Sequence, residues 1–367
     1  MMLNSIYTIN TLVFDWGDTL MKVLPQYEGS MANWPEVAVI EGADKTLEQL
    51  QQQYRLVVAT NAADSGAALV KAALARVELD QYFNEIFTYQ ELGVHKPEIA
   101  FFRSIENRLN ESARNLMMVG DNIHSDILSA QYAGWQTTWF NPANTPCPGL
   151  LPLHNIELQR LPDLPDTLRR LPLPDMDTCL HWLLEEGASA GVLLHVQAVA
   201  AVAYHFALRL RANGVAVDPV LAHRGGLLHD VSKLAAKKVG ADHGEMARDF
   251  LLSKGQSDLA DIAHRHMLFC LLEEGRLPIT WEQKVVYFAD KLVEGAGVTS
   301  LEERLEALKE RYPKDKTIIM NTVPAMLDLQ NELCQALGLT ADEMLLQLQE
   351  AFLEKKNIRN DTIPISG

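Results

Sequence analysis

Apolar residues in the first 140 positions gather into short runs, separated by longer stretches of helical spacing. Residues 11–15 read Thr-Leu-Val-Phe-Asp, 55–60 read Arg-Leu-Val-Val-Ala-Thr, 115–121 read Asn-Leu-Met-Met-Val-Gly-Asp, and a fourth run covers 136–140. Runs of this length and apolarity predict buried strands. The intervening spacing predicts helices over 43–53, 65–77, 97–109 and 123–133. Strand and helix in alternation predict an α/β domain, a doubly wound parallel sheet covered on both faces. Ligands of such sheets bind outside the carboxyl ends of the strands. Asp15, Thr60 and Asp121 stand at those ends.

The pattern changes at Asn141. Pro142, Pro146, Pro148, Pro152, Pro162, Pro165, Pro172 and Pro174 follow within 34 positions. Proline neither continues a helix nor serves a central strand, which predicts an extended, fairly stiff connection. Beyond Thr178 the strand signals cease and helix signals take over. Asp218-Pro219 reads as an N-cap with proline in the first turn. Thr280 with Gln283, Ser300 with Glu303 and Thr340 with Glu343 fit capping boxes. Gly214, Gly255 and Gly338 stand where helices should end. The expected division is an α/β domain over 1–150, a proline-rich linker or packed extension over 151–178, and an all-α domain over 179–367.

A chain of 367 residues is long enough for two cores. Its formal net charge of -16 argues against broad contact with nucleic-acid backbones, yet leaves room for a local basic pocket. Cys147, Cys179, Cys270 and Cys334 are scattered, which suits a reducing compartment and argues against a disulfide framework or a cysteine-based zinc site. The N-terminus lacks the pattern of a signal peptide. The apolar stretch 191–210 is interrupted by His195, Gln197, His205 and Arg209, so it reads as a buried helix and not a membrane span. These features predict a cytoplasmic protein without membrane association.

Two sets of residues carry chemistry. The first is Asp15-Trp16-Gly17-Asp18-Thr19, then Thr60, then Lys96-Pro97, then Gly120-Asp121-Asn122-Ile123-His124-Ser125-Asp126. A carboxylate nucleophile, a hydroxyl, a cation and a carboxylate pair at one sheet rim suit phosphoryl transfer with Mg²⁺. Residues 10–170 resemble the haloacid dehalogenase superfamily, whose four motifs these match in order. The resemblance implies Asp15 as nucleophile, Thr60 and Lys96 as phosphoryl ligands, and Mg²⁺ held by Asp15, the Gly17 carbonyl and Asp121 with Asp126 in support. Family phosphatases usually carry an aspartate acid where this chain has Gly17. Asp18 is one position out of register, so turnover is expected to be slow. The segment between Leu20 and Gly42 is short for a cap, which points to a macromolecular substrate or a site covered by another domain.

The second set is His195, His229-Asp230, His243, His266 and Asp290, on successive helices. Imidazole and carboxylate donors suit Fe, Mn, Zn, Co or Ni. Residues 185–310 resemble the HD superfamily of metal-dependent phosphohydrolases. Its defining pattern matches His195, His229, Asp230 and Asp290, and His243 and His266 match the extra ligands of two-metal members. The resemblance implies one or two divalent transition ions, a hydroxide activated between two of them, and Lys233 placed to meet a phosphate. Order and flanking residues are similar to bacterial HD-type hydrolases of symmetrical diadenosine tetraphosphate, a substrate the sequence does not assign. His223 and His264 flank the motif and are expected to touch its ligands; His181 and His205 are packing or surface residues. The leucines of 333–353 form a core stripe or a homodimer face.

These readings converge on a bifunctional phosphohydrolase acting on a small phosphate ester or nucleotide. The alternatives are an HD enzyme with a regulatory, phosphate-binding first domain, and a nucleotide sensor or scaffold without turnover.

Overall fold

The computed structural model describes residues 9–170 and 172–361, with side chains described through residue 352. The chain divides into two compact units, Met1–Thr145 with Leu153–Pro172, and Pro146–Pro152 with Leu173–Gly367.

The first unit holds six parallel strands, β1 Thr11–Phe14, β2 Arg55–Thr60, β3 Glu85–Thr88, β4 Leu116–Gly120, β5 Gln136–Phe140 and β6 Ile156–Leu158. Their order is β3-β2-β1-β4-β5-β6. Its helices are α1 Ala43–Leu50, α2 Ala67–Ala75, α3 Tyr89–Leu92, α4 Ile99–Leu109, α5 Ser129–Tyr132 and α6 Leu164–Leu168. Alternate residues of each strand enter different cores: Leu12, Phe14, Val58 and Val119 face one side, and Val13, Val57, Ala59 and Met118 the other. Burial on both faces explains why these strands read as unbroken apolar runs. β1 lies between β2 and β4, with Phe14 in register with Val58 and Val119. The strand order reverses there, so Asp15 emerges at the switch point.

Three differences from the sequence reading appear. The proline-rich stretch is not simply extended: β6 pairs with β5, and α6 starts with Pro165 in its first turn, where its missing N–H costs nothing. Residues 153–172 therefore belong to the first unit, and the helical unit begins before residue 179, with α7 Met176–Glu185. Strands β3, Glu-Ile-Phe-Thr, and β6, Ile-Glu-Leu, carry polar residues that keep them from reading as apolar runs. The expected helix over 123–133 is a π-helical turn, Ile123–Leu128, followed by α5.

The second unit continues with α8 Ala190–Ala212, α9 Pro219–Leu228, α10 Lys233–Val239, α11 His243–Ser253, α12 Ser257–His264, α13 Trp281–Lys291, α14 Leu301–Arg311, α15 Lys316–Leu337 and α16 Ala341–Asp361. A two-residue antiparallel pair, Val293–Glu294 with Gly297–Val298, departs from the all-α expectation. The caps at Asp218, Thr280, Ser300 and Thr340 form as expected. α8 is long and apolar enough to cross a membrane by composition, with mean hydropathy 1.6, but 61% of that window is buried inside the unit. It packs against α9 and α13 as a core helix. The approach to α9 is close: a Cβ on Gly226 would lie 2.7 Å from Ala200 Cα, so only glycine fits. Leu333, Leu337 and Leu348 are core residues, while the Leu353 side chain lies outside the described residues.

Candidate active sites

In the first unit the Asp15 amide donates to Val119 O at 2.9 Å, which fixes the carboxylate just past the end of β1. Lys96 is buried beside it. Its ammonium donates to Asp15 Oδ1 and Asp126 Oδ1, each at 2.6 Å, and to Ala59 O at 3.1 Å. Asn61 grips the Lys96 backbone in both directions, each bond 2.8 Å. Thr60 is buried at the end of β2, its Oγ1 accepting from the Ala62 amide at 3.3 Å. Asp121 accepts from Thr19 Oγ1 at 3.2 Å, and its carbonyl accepts from Trp139 Nε1 at 2.8 Å. Asp126 folds back over the end of β4: a Cβ on Gly120 would lie 2.4 Å from Asp126 Oδ2. That oxygen accepts from the Asn122 amide at 3.1 Å.

Carboxylate oxygens of Asp15, Asp121 and Asp126 lie within 4.8 Å of one another. Burial pushes the Asp15 carboxyl up to about 7 against the pull of Lys96, and Asp126 adds to the rise. Burial and Asp126 likewise push Asp121 up to about 6. One buried ammonium thus faces three carboxylates. The surplus negative charge and the hard oxygen donors fit Mg²⁺.

Gly17 forms a short bridge with Met21 in the loop after Asp15. The neighbouring Asp18 has φ 53°, and its Oδ1 accepts from the Val23 amide at 2.9 Å. Asp18 is therefore engaged in its own turn. The space at Gly17 is less open than glycine alone suggests, since a Cβ there would meet Val23 Cγ2 at 3.0 Å.

In the second unit the six expected donors converge. His195 projects from the second turn of α8, His229 and Asp230 end α9, His243 opens α11, His266 follows α12, and Asp290 lies in the last turn of α13. Asp230 divides them into two sets. On its Oδ2 side, His195 Nε2 lies 4.0 Å and His229 Nε2 3.5 Å away. Asp290 Oδ1 lies 3.0 Å from His195 Nε2 and 3.8 Å from His229 Nε2. On the Oδ1 side, His243 Nε2 lies 3.2 Å and His266 Nε2 3.4 Å away, with 3.2 Å between the two imidazoles. Donors sharing one ion at about 2.1 Å stand roughly 3–3.4 Å apart, the spacing of the second set and close to that of the first.

The far nitrogens are held by backbone. His229 Nδ1 meets Gly226 O at 2.7 Å, His266 Nδ1 meets Ala263 O at 2.6 Å, and His195 Nδ1 meets Gly295 O at 3.3 Å. Nδ1 is then the donor, and each Nε2 lone pair points inward. His229 Nε2 and Asp230 Oδ1 are buried without a hydrogen-bond partner among the described residues. Leaving such atoms unsatisfied is costly, and a divalent ion on each side of Asp230 would satisfy them. Burial lowers His266 to about 4, so it is neutral and ready to ligate. Burial opposes charge on Asp230 and Asp290, but the imidazoles when protonated, together with Lys291 for Asp290, hold both well below the usual carboxylate range.

A cavity of about 640 Å³ opens beside these donors. Asp230, His243, His266 and Asp290 line it, with Lys233, Lys237, Lys291, Arg304 and Arg311. Lys233 Nζ reaches Asp230 Oδ2 at 2.5 Å, and Lys291 pairs with Asp290. A smaller cavity of about 440 Å³ is walled by Leu301, Leu305, Val323 and Leu327 and holds none of the six donors.

Comparison with known proteins matches one family to each half of the chain. The profile of the haloacid dehalogenase-like hydrolases matches residues 4–140, and that of the HD domain matches residues 192–294. The chain joins a haloacid dehalogenase-like hydrolase domain to an HD domain. An uncharacterised protein of Methanocaldococcus jannaschii is 31% identical over 153 residues, 38% of this chain and 89% of that protein. A pyrimidine 5'-nucleotidase of Streptococcus pneumoniae is 32% identical over 105 residues, 28% of this chain and 43% of the nucleotidase. The chain thus spans less than half the length of that relative. A solved structure of an uncharacterised protein from Listeria monocytogenes serotype 4b covers 44% of this chain and 97% of its own, with 28% identity and a TM-score of 0.40.

Several neighbours of these sites carry no sequence signal of their own. In the haloacid dehalogenase-like domain these are Asn61, which holds Lys96, and Gly120, which makes room for Asp126. In the HD domain they are Lys291, Arg304 and Arg311, which reach the cavity from α13 and α14. Lys291 alone had a pointer, its place directly after Asp290. His223 packs on Tyr204 and Arg224. His264 bonds Arg248. Burial lowers His205 to about 4, in keeping with a packing role.

Proposed function

We propose that the chain is a bifunctional metal-dependent phosphohydrolase of a reducing, cytoplasmic setting. Its HD site would hydrolyse a nucleotide or related phosphate ester, and its first site would be an aspartate-nucleophile phosphatase slowed by Gly17. The observation that carries this reading is Asp230, whose two oxygens each face a separate donor set at the mouth of a cation-lined cavity.

His195, His229, Asp230 and Asp290 would hold one divalent transition ion, and Asp230, His243 and His266 the other. Such ions supply Lewis acidity and lower the pKa of water toward neutrality. The chain's own residues do the rest. Lys233, now paired with Asp230, would turn toward the phosphoryl oxygens once ions share that carboxylate. Arg304 and Arg311 would hold the more distant anionic part of the substrate. A volume of about 640 Å³ suits a nucleotide-sized ligand.

In the first domain Asp15 would attack phosphorus while Lys96 and Thr60 hold the phosphoryl oxygens and Asp121, Asp126 and the Gly17 carbonyl secure Mg²⁺. The leaving oxygen lacks a proton donor, because Asp18 is bound to the Val23 amide. The same observation favours a second reading, in which this domain binds phosphate and regulates without turning over.

The testing experiment is a screen of nucleotide and sugar phosphate esters with the full-length protein, stripped of metal and then supplied with Mg²⁺, Mn²⁺, Co²⁺ or Ni²⁺ singly. Hydrolysis that returns with a transition ion supports the proposal. Full activity in the stripped protein contradicts it.

A further inference from the structure

The donors facing Asp230 Oδ1 are not held alike. His266 is fixed twice, by Ala263 O on its ring and by Lys291 Nζ, which donates to the His266 carbonyl at 3.0 Å. The His243 ring has no such backbone partner among the described residues: its recorded neighbours are His266 and Asp230. Its place depends on where the first turn of α11 sits. That turn is capped by Asp242, whose Oδ1 accepts from the Gly244 and Glu245 amides at 2.7 and 3.2 Å.

The other oxygen of Asp242 accepts from Arg276 Nη1 at 2.8 Å. The same guanidinium donates through Nη2 and Nε to His264 O, at 2.9 and 3.2 Å, where α12 ends. Arg276 thus spans two helix ends, one directly before His243 and one two residues before His266. It is itself braced, lying over the Phe269 ring at 5.0 Å, while Arg265 Nη1 donates to Leu277 O at 2.7 Å. A planar fork contacting two partners is work that a lysine does only in part.

We infer that Arg276 is a positioning residue for the second ion, tying the start of α11 to the end of α12 so that His243 and His266 face Asp230 together. It touches neither ion nor substrate. The inference rests on the two-ion reading of the HD site.

The test is a Mn²⁺ titration of the metal-stripped full-length protein, read by electron paramagnetic resonance and by bound-metal analysis. Every form carries Asp15→Asn and Asp121→Asn so that the first domain takes no ion (wild type here meaning Arg276 and Asp242 intact). Wild type should take two ions and show the spectrum of a coupled pair. Arg276→Gln should bind the second ion about 10–100-fold more weakly, the range for loss of a group that orients a ligand. The first ion should bind as before, giving the signal of an isolated Mn²⁺. Arg276→Lys should recover part of the loss. Asp242→Asn, which keeps the cap but weakens the Arg276 contact, should resemble Arg276→Gln. A purely structural role would weaken both ions together. Two ions in wild type, with the second unchanged in Arg276→Gln and Asp242→Asn or both weakened equally, overturn the inference alone. A single ion in wild type overturns the two-ion reading and the inference with it.

Discussion

Asp18 Oδ1 accepts a hydrogen bond from the Val23 amide at 2.9 Å, which turns the one spare carboxylate of the Asp15 loop back on its own turn. An acid–base group contributes about 10²–10⁴ in rate, so its absence should fall on leaving groups that need a proton. Gly17→Asp should raise alkyl phosphate turnover by up to about 10²-fold and change aryl phosphate turnover little. Because Val23 Cγ2 would lie 3.0 Å from the new Cβ, the gain should be larger in Gly17→Asp with Val23→Ala. Alkyl and aryl rates of the first site, measured in an Asp290→Ala background, check this. A wild type that hydrolyses alkyl esters as fast as aryl esters already has its proton donor.

Among the described residues, Lys96 is the one buried cation that pairs with Asp15 and Asp126. Lys96→Met fills similar volume but leaves those carboxylates unpaired. Removing one partner of a buried pair typically costs about 3–5 kcal/mol. Denaturant unfolding at pH 8 should show that loss, and saturating Mg²⁺ should reverse part of it by binding the same carboxylates. Stability equal to wild type without Mg²⁺ would mean the pairing is not what holds this rim together.

Gly120→Ala would place a methyl 2.4 Å from Asp126 Oδ2. Overpacking of this kind costs about 1–3 kcal/mol. Thermal melting should show the loss, and Gly120→Ala with Asp126→Ala should melt higher than Gly120→Ala alone. Calorimetric Mg²⁺ titration should stay weak in both. If the double variant melts no higher than the single, the clash is elsewhere.

The site donors were more legible than the scaffold around them. Asp15, Thr60 and Asp121 could be placed because each ends an apolar run, and a parallel sheet gathers such ends at one rim. β3 and β6 escaped because Glu85 and Glu157 break what would otherwise be apolar runs. The π-turn at 123–128 escaped because its polar residues follow their local partners: Asn122 Oδ1 accepts from the His124 and Ser125 amides. Val23 crowds Gly17 from six residues further on and carries no mark of that contact in the sequence. Arg276 and Arg304 look like surface charges in sequence, and only the fold brings them inward, while Arg311 stays exposed at the cavity.

His229 Nε2 is buried without a partner among the described residues, which makes the empty-handed imidazole a cost that an ion would remove. Wild-type melting temperature should therefore fall on chelation and return with Mn²⁺. In His229→Ala the first donor set is broken, and chelation should shift melting much less. An equal shift in both proteins would place the stabilising ion elsewhere.

The most direct measurement compares metal-dependent turnover of Asp15→Asn and Asp290→Ala across one panel of nucleotide phosphate esters, each variant full-length and matched for folding. The account predicts that Asp290→Ala removes most transition-metal-dependent hydrolysis and that Asp15→Asn leaves most of it. Loss of all activity in Asp15→Asn, with none lost in Asp290→Ala, would contradict it.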